Sequence, residues 1–457
     1  MTFISKLKDS FARLGHVISR FFKIQERGSS IKTELLGGLT TFLTMAYILF
    51  VNPAIMSGYG GIATLDVSAV FLATALAAGL ATLAMGIFVN LPVALAPGMG
   101  LNAFFSFTIV FGLGYTWEQA LGAVLVSGII YLIITLTGLR AKVVQAIPQS
   151  LKYAIGAGIG FFIAYIGLVS VGIITQGVGT PTTLGDLTSP VAILALGGLV
   201  MTMMLLAFKV RGAVFFGLVG IAITGVVAGL LGTPDMPVYT GIFGSVPSLA
   251  PTFGAAFKGI SEILLEPMGW FAIFAFLFVD FFDTSGTLMA VTGQMENVSE
   301  EEIQKANVVD ASATVVGAVL GTSTTTSYIE SLSGIGVGAK TGLASVFTGL
   351  LFLLSIFLSP LLTLVTAGVT AAAMIIVGTM MAGSIGKIEW KNWPIAIASF
   401  MTILIMILTY SISDGIGFGF LTYVIVMVFG RRWREVHPLL YGATGLFVLY
   451  ILLLNIL

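Results

Sequence analysis

The chain has 457 residues, 57% of them hydrophobic and only 9% charged, with 20 Lys and Arg balancing 20 Asp and Glu. A mean hydropathy of +1.08 means far more apolar surface than one water-soluble core can bury, so lipid is the solvent. Zero net charge gives no global attraction to nucleic acid, and the lack of cysteine excludes disulfides and thiol chemistry.

Residues 1–33 carry Lys6, Lys8, Arg13, Arg20, Lys23, Arg27 and Lys32, without the compact apolar core or small-residue cleavage site of a signal peptide. Ile4, Leu7, Phe11, Leu14, Ile18 and Phe21 recur at three- and four-residue steps, which predicts an amphipathic helix on the cytoplasmic membrane surface. A solvated basic tail is the plainer alternative. His16 and His437 sit near opposite ends, so no multi-histidine metal site is expected, nor any cofactor.

From about Glu34 onward, apolar runs of roughly 17 to 25 residues recur, the length that crosses about 30 Å of hydrocarbon as helix. The expected spans lie near 36–56, 68–89, 97–111, 118–138, 149–174, 190–208, 212–231, 267–292, 305–320, 325–339, 342–358, 360–384, 394–411 and 415–430. That makes an all-α membrane protein of about fourteen transmembrane helices. With the N-terminus in the cytoplasm, every Lys and Arg except Lys258 falls on a cytoplasmic loop or span end, as the positive-inside rule requires.

Shifting the chain by 228 positions lays ELLGGLTTFLTMAYILFVN (34–52) on EILLEPMGWFAIFAFLFVD (262–280), pairing Glu34 with Glu262, Pro97 with Thr325 and Asn102 with Glu330. A second echo, shifted by about 203, pairs Arg211-Gly212 with Asp414-Gly415. Seven spans per repeat is an odd number, so the two seven-helix repeats must be inverted, a common transporter plan. Chance similarity of apolar text is the competing explanation. Against it stand two segments that should break their helices: NLPVALAPGMGLN (90–102) and GAVLGTSTTTSYIE (317–330). In lipid, non-helical backbone survives only inside protein or along a water-filled cavity, so both should face the interior as short extended segments leading into half-helices that start near Pro97 and Thr325. Gly156, Gly158 and Gly160 read as close helix packing rather than a nucleotide loop, since they lie within an apolar span.

Asp280 and Asp283 stand in FLFVDFFDTSGTLMAV, three residues apart and so on one helical face. An ionised carboxylate at the centre of a span costs about 2.5–3.5 kcal/mol to insert, so it is rarely kept without a partner or a role. Both are candidate substrate-path residues; capping a half-helix or accepting from a neighbouring hydroxyl is the bland alternative. Glu330 sits at the repeat position of Asn102, so the two should face a shared cavity from opposite repeats. Asn102 also reads as a helix-bridging amide, and Asp310 as an acid supporting the site or merely ending a helix. Phe104, just beyond Asn102, could stack on a flat ligand, although such aromatics more often only pack.

The stretches GGLTTFLTMAYILFVNP (37–53), APGMGLNAFFSF (96–107), FVDFFDTSGTL (278–288) and GTSTTTSYIESLSGIGVGAKTG (321–342) resemble the AzgA-like purine permeases of the nucleobase:cation symporter superfamily. The resemblance runs from about Arg27 to Pro438. It implies a uracil-permease-like fold with a core domain (34–138 and 262–358) and a gate domain (139–232 and 359–432), with an extracellular loop expected at 233–261; the chain departs from a plain fourteen-span plan at its end, where an apolar C-terminal helix at 433–457 either lies at the interface or adds a span. It also implies elevator-like or rocking motion of core against gate, and uptake of adenine, guanine or hypoxanthine with protons across the plasma membrane. By motif, Asn102, Asp280, Asp283 and Glu330 match the family's polar site residues; together with Phe104 they are the candidate substrate-binding residues, with Asp280 and Glu330 the candidate proton-coupling pair and Asp310 the candidate supporting acid. The number of subunits stays open, with a homodimer as one arrangement.

The chemistry of a purine fits such a site. An ionised carboxylate accepts from ring N–H and exocyclic amino donors, a protonated one donates to a ring nitrogen or carbonyl, and an acid desolvated in one conformation and hydrated in another can load and release a proton. An anion carrier of the same fold is the nearest rival, because half-helix N-termini attract anions, although carboxylates there would repel them. A membrane enzyme lacks support: there is no HExxH, no nucleophile beside a histidine and no phosphate loop. A channel would not need two inverted halves.

Overall fold

In lipid only helices and closed barrels satisfy every backbone group, and the long apolar runs of this chain fold as helices. The structure is a computed structural model that describes residues 15–58, 65–138, 147–177, 179–295 and 298–456. Positions 1–14, which hold most of the expected amphipathic N-terminal helix, and the expected domain boundary at 139 lie outside the described residues. Among the described residues nine helical stretches are long and apolar enough to cross a membrane, and three more are apolar but shorter. Large side chains such as Phe208, Leu230, Leu231 and Phe429 point outward with no protein cover, as lipid-facing groups do.

The first half contains α1 (Ile31–Met45), α2 (Ile48–Met56), α3 (Val67–Ala84), β1 (Leu95–Pro97), α4 (Met99–Ala103) running on as wider π turns through Gly112, α5 (Trp117–Leu136), α6 (Gln149–Ser170), a small hairpin β2 (Ile174–Thr175) with β3 (Thr183–Leu184), α7 (Pro190–Ala207) and α8 (Ala213–Leu230). The second half contains α9 (Ala255–Leu265), α10 (Pro267–Thr292), α11 (Glu300–Leu320), β4 (Thr325–Ser327), α12 (Ser331–Ile335), α13 (Gly342–Leu354), a 3₁₀ stretch to Leu364, α14 (Ala367–Ala382), α15 (Trp393–Leu408), α16 (Ile412–Phe429) and α17 (Pro438–Ile456).

Polar side chains set where helices start. Ser30 accepts from the Thr33 N–H and Asp66 from the Ala69 N–H, while Thr116/Gln119 and Ser299/Glu302 form reciprocal capping boxes. Glu34, fully buried, accepts from the backbone N–H groups of Lys340 (2.9 Å) and Thr341 (3.2 Å) at the start of α13. Glu262, which the 228-residue shift lays on Glu34, accepts from Gln119 (2.9 Å) in the first turn of α5, so each of the two glutamates reaches a helix start in the other half of the chain.

The helices pack in two sets. In one, α5 lies along α9, α10 and α11, while α13 lies along α1 and α3. In the other, α6 lies along α14 and α15, α14 along α7 and α8, and α15 along α16. Glycines let these helices approach. A Cβ at Gly160 would stand 2.5 Å from the Gly378 carbonyl oxygen and 2.6 Å from the Ala382 nitrogen, and a Cβ at Gly158 would press on Met406; Gly156 faces open space beside Ser384. Gly160→Leu is therefore expected to destabilise the protein by about 1–3 kcal/mol, seen as a lower thermal midpoint of the detergent-purified chain.

The structure departs from the sequence expectation in several places. The first span is broken at Ala46–Tyr47 into α1 and α2. The expected loop 233–261 ends early, because Ala255, Ala256, Gly259 and Ile263 form a helical stripe buried against α5 while Lys258, Ser261 and Glu262 face outward. The expected span 325–339 is a strand and one short helix, and helix does not start at Thr325 but at Ser331. At the C-terminus, the Phe447 ring of α17 lies 6.0 Å from Phe271 on α10 and 5.4 Å from Phe418 on α16, so this helix touches both sets. At the N-terminus, Phe22 and Ile24 bury against Leu343, and Arg27 bonds the Asn90 carbonyl (3.0 Å), the Lys340 carbonyl (3.2 Å) and the Glu302 carboxylate.

Candidate functional site

Two broken stretches meet at the centre of the first helix set. β1 and β4 pair antiparallel with Leu95 opposite Ser327, Ala96 opposite Thr326 and Pro97 opposite Thr325, all buried. Pro97 and Thr325 are thus partners in the ladder as well as in the 228-residue echo. Buried backbone groups outside helices need partners, and side chains supply many of them. The Leu95 N–H donates to Thr82 Oγ1 (2.9 Å), that of Ala94 to Ser331 Oγ (3.0 Å), and that of Thr325 to Thr314 Oγ1 (3.3 Å). Gly98 N–H donates to the Thr324 carbonyl and Tyr328 N–H to that of Ala94, both at 2.9 Å.

Two of the four carboxylates brace this crossing from behind. Asp310 Oδ1 accepts from both the N–H and the hydroxyl of Ser327 (2.7 Å each), and its Oδ2 accepts from Thr284 on α10 (2.6 Å). Asp280 Oδ2 accepts from Thr314 on α11 (2.8 Å). Both acids are buried. Asn102 Oδ1 accepts from the Ser323 hydroxyl, tying α4 to the segment before β4, and its buried Nδ2 has no acceptor among the described residues. Asn52 on α2 does similar work, donating to Thr74 (2.6 Å) and Thr322 (2.9 Å).

The other two acids face a cavity of about 410 Å³, within the size range of small-ligand sites. Asp283 comes from α10 and Glu330 from the residue before α12. On their side the lining also includes Gly100, Leu101, Val279, Ser285, Gly286, Thr287 and Ile329. The other wall belongs to the second helix set: Gln149, Lys152, Tyr153, Ile155, Gly156 and Ile159 of α6, then Val377, Met380 and Met381 of α14, and Ser384. The cavity therefore sits at the seam between the two sets. A smaller pocket of about 90 Å³ shares Asp283 and Glu330 and reaches Tyr47 and Tyr328. The Tyr47 hydroxyl donates to Glu330 Oε1 (2.8 Å), which fixes one carboxylate oxygen of a side chain that lines the cavity.

Of the residues expected from sequence, Asp283 and Glu330 share this cavity. Asn102, Asp280 and Asp310 are not among its lining residues and hold the strand crossing instead. Phe104 is fully buried, edge-on to Phe276 with centroids 4.8 Å apart, and lines no part of it. Sequence reasoning did not single out Tyr47, Gln149, Lys152, Tyr153, Ser285 or Ser384. No signal set them apart: even Lys152, one turn inside α6, is a span-end charge that the positive-inside rule already accounts for. Tyr47→Phe removes this bond and leaves a carboxylate oxygen of Glu330 without its donor, so it is expected to weaken ligand binding at least severalfold and to lower the thermal midpoint of the purified protein.

The family model Xan_ur_permease, described as a permease family, matches residues 32–455. The guanine/hypoxanthine permease PbuG of Bacillus subtilis (strain 168) is 47% identical over 443 residues, covering 95% of this chain and 99% of that protein. The adenine permease AdeQ of Escherichia coli (strain K12) is 38% identical over 442 residues, covering 96% and 97%. Among solved structures, the transmembrane domain of a cyanobacterium bicarbonate transporter, BicA, has a similar fold: TM-score 0.60 at 17% identity, covering 85% of this chain and 97% of that one.

Proposed function

The chain belongs to the Xan_ur_permease family, and we propose that it takes up purine nucleobases (guanine, hypoxanthine or adenine) across the plasma membrane together with protons. It is an integral membrane transporter rather than an enzyme: its named relatives are permeases for these bases. The observation that carries the reading is the pairing of Asp283 and Glu330 in one cavity at the seam between two helix sets. Two acids on one wall suit the N–H and amino donors along a purine edge, and the mostly apolar remainder suits its faces.

The likeness of fold to a bicarbonate transporter leaves an anion cargo as the rival. The same two acids count against it, since carboxylates at the ligand position repel anions. Asp283 and Glu330 are the residues assigned here to contact the base, with Tyr47 orienting Glu330. Asp280, Asp310 and Asn102 keep the crossing rigid beneath them. Glu330, held by Tyr47 on one oxygen and part of the cavity lining, is the carboxyl assigned to carry the proton.

For the architecture we infer fourteen spans in two inverted repeats, with the N-terminus in the cytoplasm. An antiparallel ladder whose equivalent residues, Pro97 and Thr325, meet each other is what a two-fold axis between inverted halves requires. The first helix set would then be the moving core and the second the gate. The test of substrate class is binding of labelled hypoxanthine to the purified protein, competed by guanine, adenine, bicarbonate and sulfate. Displacement by purines and not by the anions is expected; displacement by the anions alone would end the purine reading.

A further inference from the structure

We propose that residues 15–32 form a strap that is fixed to the first helix set and rests its outer face on anionic phospholipid headgroups at the cytoplasmic surface, so that lipid charge acts on the movement of that set. The inference rests on the reading of the chain as a purine carrier with its N-terminus in the cytoplasm.

Side chains hold the inner side of the strap. It is helical over 15–21, and Phe22 and Ile24 bury against Leu343 of α13 with Ile18 packed beside them. Two residues clasp it to the helix ends beneath. Arg27 donates to the carbonyls of Asn90 and Lys340 and pairs with Glu302 of α11. Asn90, just past the turns that end α3, donates to the Phe22 carbonyl (3.0 Å) and accepts from the Gly342 N–H (2.8 Å). Because α3, α11 and α13 all belong to the first set, the strap goes where that set goes.

The outer side faces away from the protein. Val17 is 65% exposed and Phe21, one turn on, 59%; Arg20, Lys23 and Lys32 are exposed as well. Phe88, near the end of the same turns and lining one groove with Phe21, is 72% exposed. Lys32, Leu36 and Leu39 share one face of α1, and both leucines are exposed, so the apolar surface that α1 turns to lipid starts one turn beyond Lys32. That puts the strap at headgroup level. Its charge favours anionic headgroups: with Arg27 matched by Glu302, Arg20, Lys23 and Lys32 stand against Glu26 within 15–32. At the neighbouring start of α11, Glu301 pairs with Lys305 (2.7 Å), which leaves Glu300. A surface helix holds an anionic membrane by apolar groups sunk in the interface and by basic residues beside it, each Lys or Arg adding about fivefold to the binding. Val17 and Phe21 supply the first and the three cations the second. A helix set that slides toward the opposite face draws the strap off the headgroups, so anionic lipid holds the conformation seen here and slows exchange between the two faces.

The chain has no native cysteine, so V17C provides a single thiol for a polarity-sensitive dye. The labelled full chain is placed in phosphatidylcholine vesicles with or without phosphatidylglycerol, with brominated acyl chains as quencher. Quenching is expected to be at least about twofold stronger with phosphatidylglycerol, and to fall to the neutral-lipid level in high salt or when R20Q/K23Q/K32Q is added to V17C. Counterflow of labelled hypoxanthine by the unlabelled wild type is expected to be about threefold slower in the anionic vesicles, and equally fast in both for R20Q/K23Q/K32Q. The charge-keeping R20K/K23R/K32R is expected to behave as wild type, and R20Q/K23Q repeats the comparison if the triple variant does not reconstitute. Quenching that ignores lipid charge or salt, wild-type exchange that ignores lipid charge, or a glutamine variant as lipid-sensitive as wild type would each overturn the proposal. So would labelling of V17C in intact cells by a thiol reagent that cannot cross the membrane, since it would put the strap outside. If wild type exchanges no hypoxanthine, guanine or adenine, the purine reading fails, and the quenching, which needs no cargo, decides the docking alone.

Discussion

Glu330→Gln is expected to reduce purine uptake by about two orders of magnitude while the protein stays folded. The amide keeps an oxygen that can accept from Tyr47, so the 2.8 Å bond that orients the side chain is preserved. What changes is the other oxygen of this cavity-lining side chain. There a charged acceptor becomes a neutral amide, and one of its two ends is a donor that meets the N–H donors of the base head-on. Hydrogen bonds to a charged group contribute about 1.5–3 kcal/mol, and a buried donor left unsatisfied costs a similar amount again, which together correspond to about a hundredfold or more. Loss of the exchangeable proton removes gradient-driven accumulation as well. Uptake in liposomes, binding by the purified variant and its thermal midpoint separate these effects; a near-wild-type midpoint with lost binding is the expected pattern.

Asp310→Ala should fail in a different way. Its carboxylate accepts three bonds, two from Ser327 and one from Thr284, and one of the Ser327 donors is a backbone N–H within the strand crossing. No helix supplies a substitute partner for that N–H, because residues 325–327 are extended. Each buried donor left unmatched costs about 1–3 kcal/mol, so the variant is expected to lose at least about 3 kcal/mol and to be recovered in low yield with a lower thermal midpoint. Binding per folded molecule should drop much less than in Glu330→Gln. A variant with normal stability and abolished binding would move Asp310 into direct contact with the substrate.

Much of this was legible in the sequence because hydropathy and breakers are local signals. The apolar runs marked the helices, and the Pro-Gly and Ser-Thr interruptions at 90–102 and 317–330 marked the two segments that cross. The carboxylates were conspicuous for the energy they cost in an apolar helix. Which acid faces the cavity was not legible. Asp280 and Asp283 lie within about 60° of each other on α10 by helical geometry, yet one turns to Thr314 and the other to the cavity, a difference set by where α11 packs. Glu330 was expected inside a half-helix; it precedes one, because residues 325–327 give their backbone to the ladder with β1 first. Lys152 was read only as a charge near a span end. Its place in the cavity lining goes with the packing of α6 against α4, where a Cβ at Gly100 would stand 2.6 Å from Ile159, and sequence periodicity carries no information about that neighbour.

The most direct measurement places the full chain in liposomes containing a pH-sensitive dye and follows labelled guanine, hypoxanthine and adenine together with proton entry. The account predicts that at least one purine accumulates along an inward proton gradient, that protons enter with it, and that both signals vanish in Glu330→Gln. Transport of bicarbonate or sulfate without any purine, or purine accumulation that Glu330→Gln leaves intact, would contradict it.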